Sequence, residues 1–227
     1  MLQGQSLTLT YQDGDKTMDA VNDVSIAIQD YQFIGILGPS GSGKSSLLYL
    51  LSGLRKPSGG EIYLDDRAYG KMSDRERVAL RRNEYGFVFQ QHFLINYLTV
   101  LENVMVAATE QDQAHAAQAR ALLTDLGMGD KLHRVPYELS GGERQRTAVA
   151  RAMIHRPRII SADEPTGLLD RHTGMQVMAL LRGYRKQGSL IAVTHNPEIL
   201  AEADLVITLR DGRITNVQDR VTRAAAN

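Results

Sequence analysis

The sequence predicts an α/β protein whose main β-sheet is largely parallel and covered by helices on both faces. Three short apolar runs, at residues 33–37, 158–162 and 190–194, have the length and composition of strands that are buried on both sides. Segments of helical length separate these runs, and that alternation is typical of parallel sheets. The 227 residues, 43% of them hydrophobic, are enough for one large domain with its own core.

The remaining segments complete the predicted domain. Residues 6–11 and 24–28 alternate between apolar and polar side chains, which predicts an antiparallel pair of strands at the start of the chain. Residues 91–156 are rich in helix-forming residues and show no strand pattern. We therefore expect residues 1–227 to be a single domain, in which 1–90 and 157–227 form the α/β core and 91–156 an inserted helical subdomain.

Composition excludes several classes of function. The 26 basic residues balance the 26 acidic ones, so no overall field attracts nucleic acid or an anionic membrane. Cysteine is absent, which excludes disulfides, thiolate metal sites and a cysteine nucleophile and fits a reducing cytoplasm. No segment reaches the ~20 apolar residues of a membrane-spanning helix, and the first residues do not have the pattern of a signal peptide.

A glycine-rich loop follows the first apolar run and precedes a leucine-rich helical segment. It matches the phosphate-binding pattern G-x-x-x-x-G-K-[ST], and a glycine turn with a surface lysine is the alternative that these flanks disfavour. In such a loop the backbone N–H groups and the helix N-terminus bind phosphate, the lysine reaches the β and γ oxygens, and the hydroxyl ligates Mg²⁺. The predicted nucleotide-binding residues are Gly38, Pro39, Ser40, Gly41, Ser42, Gly43, Lys44, Ser45 and Ser46.

Two carboxylates follow the apolar run at 158–162. Alone, an Asp-Glu pair there is more often an exposed turn, but the phosphate loop upstream favours a functional role. We expect Asp163 to help hold Mg²⁺ and Glu164 to polarise the water that attacks the γ-phosphate.

The segment from Leu139 to Arg146, LSGGERQR, resembles the signature motif of ATP-binding cassette (ABC) ATPases. Ser140 and Glu143 have the spacing of a helix-capping box, which describes the local geometry without explaining the two glycines. The resemblance implies that Ser140, Gly141 and Gly142 bind the γ-phosphate of a nucleotide held by a second copy. Two ATP molecules would then lie in a head-to-tail homodimer.

Further positions match the family in order along residues 6–215. By this resemblance Tyr11 stacks on adenine, although a strand tyrosine often only packs, and Asp170 communicates across the dimer. Gln90, at the end of an apolar strand, contacts Mg²⁺ and the attacking water. His195, otherwise an ordinary structural histidine, contacts the γ-phosphate and orients Glu164. The metal set is thus Ser45, Gln90 and Asp163, and the catalytic set is Glu164, His195 and Gln90.

The stretches DEPTG and LTVLENV look most like ATPases of the macrolide-export, lipoprotein-release and bacitracin-resistance group, although Leu168 and Asn96 replace that group's usual asparagine and proline. The resemblance implies a peripheral ATPase on the cytoplasmic face of the membrane that powers a separate transmembrane permease of the export or mechanotransmission type, with no nucleic-acid partner. A soluble ABC ATPase that acts on ribosomes or DNA is the alternative, but such proteins usually carry two cassettes or a long coiled-coil insertion. An importer ATPase often has an additional C-terminal domain.

A cluster of large apolar residues follows Gln90. In ABC transporters this segment lies beside the groove that receives a short helix of the membrane subunit, so we expect some of the cluster to be exposed, whereas apolar clusters are usually core. The cluster consists of Phe93, Leu94, Ile95, Tyr97 and Leu98.

Overall fold

Two β-sheets organise residues 1–14 and 16–220, the part of the chain that the computed structural model describes. The smaller sheet is antiparallel, in the order β2-β1-β4-β5, and its strands are β1 (Leu2–Asp13), β2 (Lys16–Ile28), β4 (Gly59–Leu64) and β5 (Arg67–Ala68). The larger sheet has the order β10-β9-β3-β8-β7-β6 and is parallel except for β10. Its strands are β3 (Phe33–Leu37), β6 (Tyr85–Val88), β7 (Ile159–Asp163), β8 (Ser189–Thr194), β9 (Leu205–Arg210) and β10 (Arg213–Asp219).

Helices occupy the space around the larger sheet. The described α-helices are α1 (Lys44–Leu51), α2 (Asp74–Glu84), α3 (Val100–Met105), α4 (Gln113–Asp125), α5 (Gly141–Met153) and α6 (Arg171–Gly183). The connections between the described helices and strands contain four short 3₁₀ turns, at Tyr69–Lys71, Pro136–Glu138, Tyr184–Lys186 and Pro197–Leu200. Three of the α-helices, α3, α4 and α5, lie in sequence between β6 and β7.

Each face of the larger sheet contacts its own hydrophobic cluster. Along β3, Phe33 belongs to the cluster shared with α3, α4, α5 and α6, whereas Ile34 and Ile36 belong to the cluster shared with α1 and the smaller sheet. This alternation follows from the two-residue period of a strand. Helix α1 packs its four leucines into the second cluster, which places the start of this helix at the carboxyl end of β3.

The predicted fold class is confirmed. The antiparallel start, the three buried strands and the helical character of the segment between β6 and β7 are all present. One boundary differs, because β6 ends at Val88 and Gln90 therefore lies two residues beyond the strand, in a loop. The division into a core and an inserted subdomain stays a prediction, and residues 221–227 of that core lie outside the described residues.

An arginine joins the two sheets. Arg158, just before β7, donates to Asp65 at 2.6 Å and to Asp30 at 2.9 Å, and both acceptors lie in loops of the smaller sheet. The hydrogen bonds from Arg158, and then from the amino group of Met1, hold the pKa of the Asp65 carboxyl well below its usual range. The folded state therefore binds this proton more weakly than the unfolded chain does.

We predict that Arg158→Met lowers the free energy of unfolding by about 1 kcal/mol at pH 7, the upper end for partly exposed pairs. Because the pKa of Asp65 is lower in the folded state, the stabilisation is complete above the unfolded value of about 3.9 and is lost as the pH falls below it. Urea unfolding between pH 3 and 7 should show that the difference in free energy of unfolding between Arg158→Met and the unmodified protein becomes smaller as the pH falls. The control is Arg134→Met, which removes an exposed pair with Glu138 within the helical segment. An equal, pH-independent loss in both variants would contradict the prediction.

Candidate nucleotide-binding site

The loop between β3 and α1 leaves the start of α1 without a side-chain cap. Gly43 occupies the cap position with φ 95°, a conformation that glycine adopts without strain, and a Cβ there would collide with the Ala20 carbonyl. Each of the other five described α-helices has a side chain that accepts a hydrogen bond at its N-terminus: Ser73, Thr99, Asp112, Ser140 and Asp170. The uncapped N–H groups of α1 are available to an anion.

Two side chains of the loop also indicate that it binds an anion. The buried Lys44 ammonium donates to the Pro39 carbonyl at 2.8 Å, so the charged end of this side chain bends back over the loop. The Ser42 hydroxyl is buried and has no hydrogen-bond partner within the described chain. The loop therefore encloses an ammonium group and a free hydroxyl beside uncapped amides, a donor set that suits phosphate oxygens.

Asp163 ends β7 beside this loop. Its side chain is 2% exposed, and its two oxygens accept from the Ser45 hydroxyl and the Tyr49 hydroxyl, each at 2.9 Å. Burial raises the pKa of the Asp163 carboxyl, and the hydrogen bonds from Ser45 and Tyr49 oppose that rise. A divalent cation would favour the ionised form further, because an adjacent positive charge stabilises a buried carboxylate.

Glu164 is the next residue, and the end of β8 holds its carboxylate in place. One oxygen accepts from the His195 backbone N–H at 3.1 Å and pairs with Nδ1 of the His195 ring at 2.9 Å, while the other accepts from the Thr194 hydroxyl at 3.1 Å. The Glu164 backbone has φ 47°, which is uncommon for a residue with a side chain. This turn directs the carboxylate toward β8, so Glu164 and His195 meet as predicted.

The signature segment begins α5. The Ser140 hydroxyl accepts from the Glu143 N–H at 3.2 Å and the Glu143 carboxylate accepts from the Ser140 N–H at 2.7 Å, so the capping box is formed. Ser140 is exposed, and Gly141 and Gly142 are half-buried. Within residues 1–14 and 16–220, no hydrogen bond joins these three residues to the loop at 38–46 of the same chain.

Helix α5 does contact the segment that follows Glu164. The Gln145 side chain, 1% exposed, donates to the Pro165 carbonyl at 3.0 Å. A Cβ at Gly142 would lie 3.1 Å from the Leu169 side chain. The signature helix is thus packed directly against the segment between the predicted catalytic carboxylate and Asp170.

The other predicted residues lie at the surface. Tyr11, on β1 opposite Met18, is 37% exposed. Asp170 accepts from the Thr173 N–H and caps α6. Gln90 is exposed, and its side chain makes no hydrogen bond within the part of the chain that the structure describes. Neither Gln90 nor Tyr11 contacts another predicted site residue through a hydrogen bond.

Two hydroxyl groups of the site do not belong to the predicted set of residues. Tyr49 lies four residues after Ser45, so the two side chains share one face of α1 and both reach Asp163. Thr194 directly precedes His195 and reaches Glu164 from the end of β8. The helical spacing gave a signal for Tyr49, whereas only the pairing of β7 with β8 brings Thr194 to Glu164.

An uncapped helix start after a central strand, with carboxylates at the end of a neighbouring strand, defines a nucleoside-triphosphate-binding protein of the P-loop class. A family model described as "ABC transporter" matches residues 21–167. The chain is 42% identical to the uncharacterized ABC transporter ATP-binding protein MJ1508 of Methanocaldococcus jannaschii, over 96% of this chain and 99% of that protein. It therefore belongs to the ATP-binding proteins of the ABC transporter family.

Other relatives and solved structures agree with this assignment. A macrolide export ATP-binding/permease protein, MacB 1 of Yersinia pestis, is 40% identical over 94% of this chain, which spans only 34% of that longer protein. Two structures of the cassette MJ0796, one described as dimeric and one as a dimeric post-hydrolysis state with ADP and Pi, superpose with a TM-score of 0.92. They are 34% and 35% identical and cover 96% of this chain and 98% of theirs.

The family and these structures identify the chain as an ATPase that binds and hydrolyses ATP, as predicted, and do not favour the soluble alternative. Among residues 1–14 and 16–220, no helix has the length and hydropathy needed to cross a membrane.

We predict that Lys44→Ala weakens ATP binding at least tenfold in calorimetry. A charge-assisted hydrogen bond contributes about 1.5–3 kcal/mol, and each 1.4 kcal/mol corresponds to a factor of ten in affinity. Lys56→Ala, which removes an exposed lysine outside the loop, is the matched control and should leave affinity unchanged. Equal affinities of the two variants would refute the assignment of the phosphate loop.

Proposed function

We propose that two copies of this chain close around two ATP molecules and that the closure and its reversal on hydrolysis drive a separate transmembrane permease at the cytoplasmic face of the membrane. The observation that carries the proposal is the pair of carboxylates at the end of β7. One of them faces the phosphate loop and the other is held by Thr194 and His195. The export-type group is supported by the similarity to macrolide export proteins.

The site fits Mg²⁺. Its donors are hydroxyl, carboxylate and amide oxygens, the hard ligands that this ion prefers, and the buried Asp163 carboxylate lacks an ionic partner in the described chain. Ser45 and Gln90 would hold the ion directly, with Asp163 behind Ser45. When bound, Mg²⁺ would neutralise charge on the β and γ phosphates.

In hydrolysis the protein positions groups and moves one proton. Lys44 and the uncapped amides of α1 would bind the β and γ phosphates, and Tyr11 would stack on the adenine. The Glu164 carboxylate would accept a proton from the attacking water. Nδ1 of His195 must carry a hydrogen to pair with that carboxylate, which leaves Nε2 free to face the γ-phosphate.

The second copy would complete the site. Among the described residues no hydrogen bond joins the signature residues Ser140, Gly141 and Gly142 to their own phosphate loop, so they would act on the nucleotide of the partner chain, with Asp170 at the same interface. The dimeric MJ0796 structures support this arrangement. A composite site of this kind hydrolyses ATP only in the closed dimer.

We predict that Glu164→Gln retains ATP binding, slows hydrolysis by about 10²–10⁴-fold and accumulates an ATP-bound dimer in size-exclusion chromatography, since closure precedes proton transfer. Glu110→Gln, at an exposed position in the loop before α4, should behave like the unmodified protein.

The double variant Ser140→Arg/Glu164→Gln should stay monomeric, because the arginine places bulk and charge at the second phosphate-binding helix start. Unchanged turnover of Glu164→Gln, together with monomer only in ATP, would exclude both the role of Glu164 and the composite site.

An apolar groove beside β6 would receive the permease. Its volume is about 540 Å³, and its lining includes Phe87, Phe89, Phe93, Val78 and Val106. His155 lies in the same groove, with Nε2 on the Tyr85 carbonyl at 3.0 Å and Nδ1 buried without a partner in the described chain. Burial lowers the pKa of His155. The aromatic and aliphatic part of the lining suits the apolar face of a short helix, beside Arg81, Arg82 and Arg151 of the same groove.

Phe93 of the apolar cluster after Gln90 lines this groove, and the rest of the cluster follows it along the chain. Phe93 and Tyr97 are exposed, as expected for part of the cluster, and Leu94, Ile95 and Leu98 are half-buried. The buried Asn103 side chain fixes the segment through hydrogen bonds to the backbone of Ile95, Leu98 and Thr99. Tyr97 is thus presented to solvent on an ordered loop.

We predict that Tyr97→Asp and Val106→Asp give stable, ATP-binding proteins that do not assemble with the permease, because a charge at an apolar docking face costs binding without affecting the core. Val217→Asp is the matched control. Val217 is 54% exposed and Val106 53%, but Val217 lies on β10, at the opposite edge of the sheet.

The measurement is recovery of an integral membrane protein, identified by mass spectrometry, from detergent-solubilised membranes of the producing cell. Its recovery with the control and with both the Tyr97 and the Val106 variant would disprove docking at this groove and the adjoining loop. Thermal destabilisation of both variants would instead assign these residues to the core.

A further inference from the structure

Tyr49 contacts the Asp163 carboxylate with its hydroxyl. Ser45 and Tyr49 lie one turn apart on α1 and donate to different oxygens of Asp163, each at 2.9 Å. No other side chain of the described residues donates to this carboxylate. The Ser45 oxygen can bind a metal ion while its hydrogen still donates to one Asp163 oxygen, and Tyr49 is then the donor that holds the other oxygen.

The ring of Tyr49 contacts the aromatic floor of the groove. Its centroid lies 6.3 Å from that of Phe89, in an edge-on arrangement at 62°. Phe89 stacks on Phe87 at 5.6 Å and meets Phe93 edge-on at 5.4 Å, and all three phenylalanines line the groove. Phe89 also directly precedes Gln90. A single side chain therefore joins the carboxylate at the nucleotide site to the residues that an occupant of the groove would touch.

We propose that Tyr49 is a positioning residue that couples the Asp163 carboxylate to Phe89, so that a shift of the groove floor changes metal affinity at the nucleotide site. The inference rests on the proposed metal role of Asp163. The physical basis is that the outer hydrogen-bond partners of a metal site orient its ligands, and loss of such partners typically weakens metal binding about 10–100-fold. The aromatic contact restrains the ring from which that hydroxyl extends.

The first test measures Mn²⁺ binding in the presence of ADP, by electron paramagnetic resonance of the free ion. Tyr49→Phe keeps the ring and removes the hydroxyl, and it should weaken Mn²⁺ binding about tenfold while ADP affinity in EDTA stays the same. Tyr184→Phe is the matched control, because it removes another buried tyrosine hydroxyl, which donates to the Pro157 carbonyl far from the site. The control should leave Mn²⁺ affinity unchanged.

Asp163→Asn separates this inference from the proposal on which it rests. If Asp163→Asn loses Mn²⁺ and Tyr49→Phe binds it within twofold of the unmodified protein, the role of Tyr49 is refuted and the metal role of Asp163 stands. If Asp163→Asn also binds Mn²⁺ normally, the metal role itself is wrong and the inference falls with it.

The second test addresses the coupling. Phe89→Leu removes the ring contact and keeps the Tyr49 hydroxyl, and it should weaken Mn²⁺ binding about threefold. In the double variant Tyr49→Phe/Phe89→Leu the effects should be non-additive, with a total loss close to that of Tyr49→Phe alone. The coupling would be overturned if the double variant lost Mn²⁺ affinity by the product of the two single-variant factors. It would also be overturned if Phe89→Leu did not change Mn²⁺ affinity.

Discussion

The geometry of the site depends on the hydrogen bonds to the Asp163 carboxylate, which is buried at the end of β7. Burying a charged group is costly unless it is hydrogen-bonded, and here both oxygens are bonded by hydroxyls from one face of α1. These bonds fix α1 against β7, and the start of α1 is the phosphate loop. The next residue, Glu164, turns toward β8 through its left-handed backbone. One buried group thus sets the distance between the phosphate-binding loop and Glu164, the residue that we propose to activate water.

The two helix N-termini differ in a way that fits the proposed composite site. Helix α1 has no side-chain cap, whereas α5 has a complete capping box. The two interpretations of the signature segment are therefore compatible: the Ser140 oxygen accepts from the Glu143 N–H, and the Ser140 hydroxyl hydrogen remains able to donate to a phosphate. Gln145 then ties α5 to Pro165, so a movement of the signature helix reaches the segment behind Glu164.

Local patterns made much of this arrangement predictable. The phosphate loop, the Asp163–Glu164 pair and the central strands are each contained in fewer than ten consecutive residues. Thr194 and Asn103 were missed because their roles depend on contacts that no short motif encodes: Thr194 reaches a residue 30 positions away, and Asn103 bonds the backbone of a loop. Strands β4 and β5 were missed because Gly59, Gly60 and Glu61 have low strand propensity, and pairing with β1 supplies the stability that composition lacks.

The two edges of the larger sheet differ in a way that bears on partner binding. At one edge, β10 presents mostly exposed side chains, among them Arg213, Thr215 and Gln218, which discourage further strand pairing. At the other edge, Phe87 of β6 stacks on Phe89, which meets Phe93 edge-on, and all three rings line a groove. An apolar groove costs solubility when it faces only water. Because the strand beside that groove ends two residues before Gln90, a partner seated there would act on a residue that we propose to hold Mg²⁺.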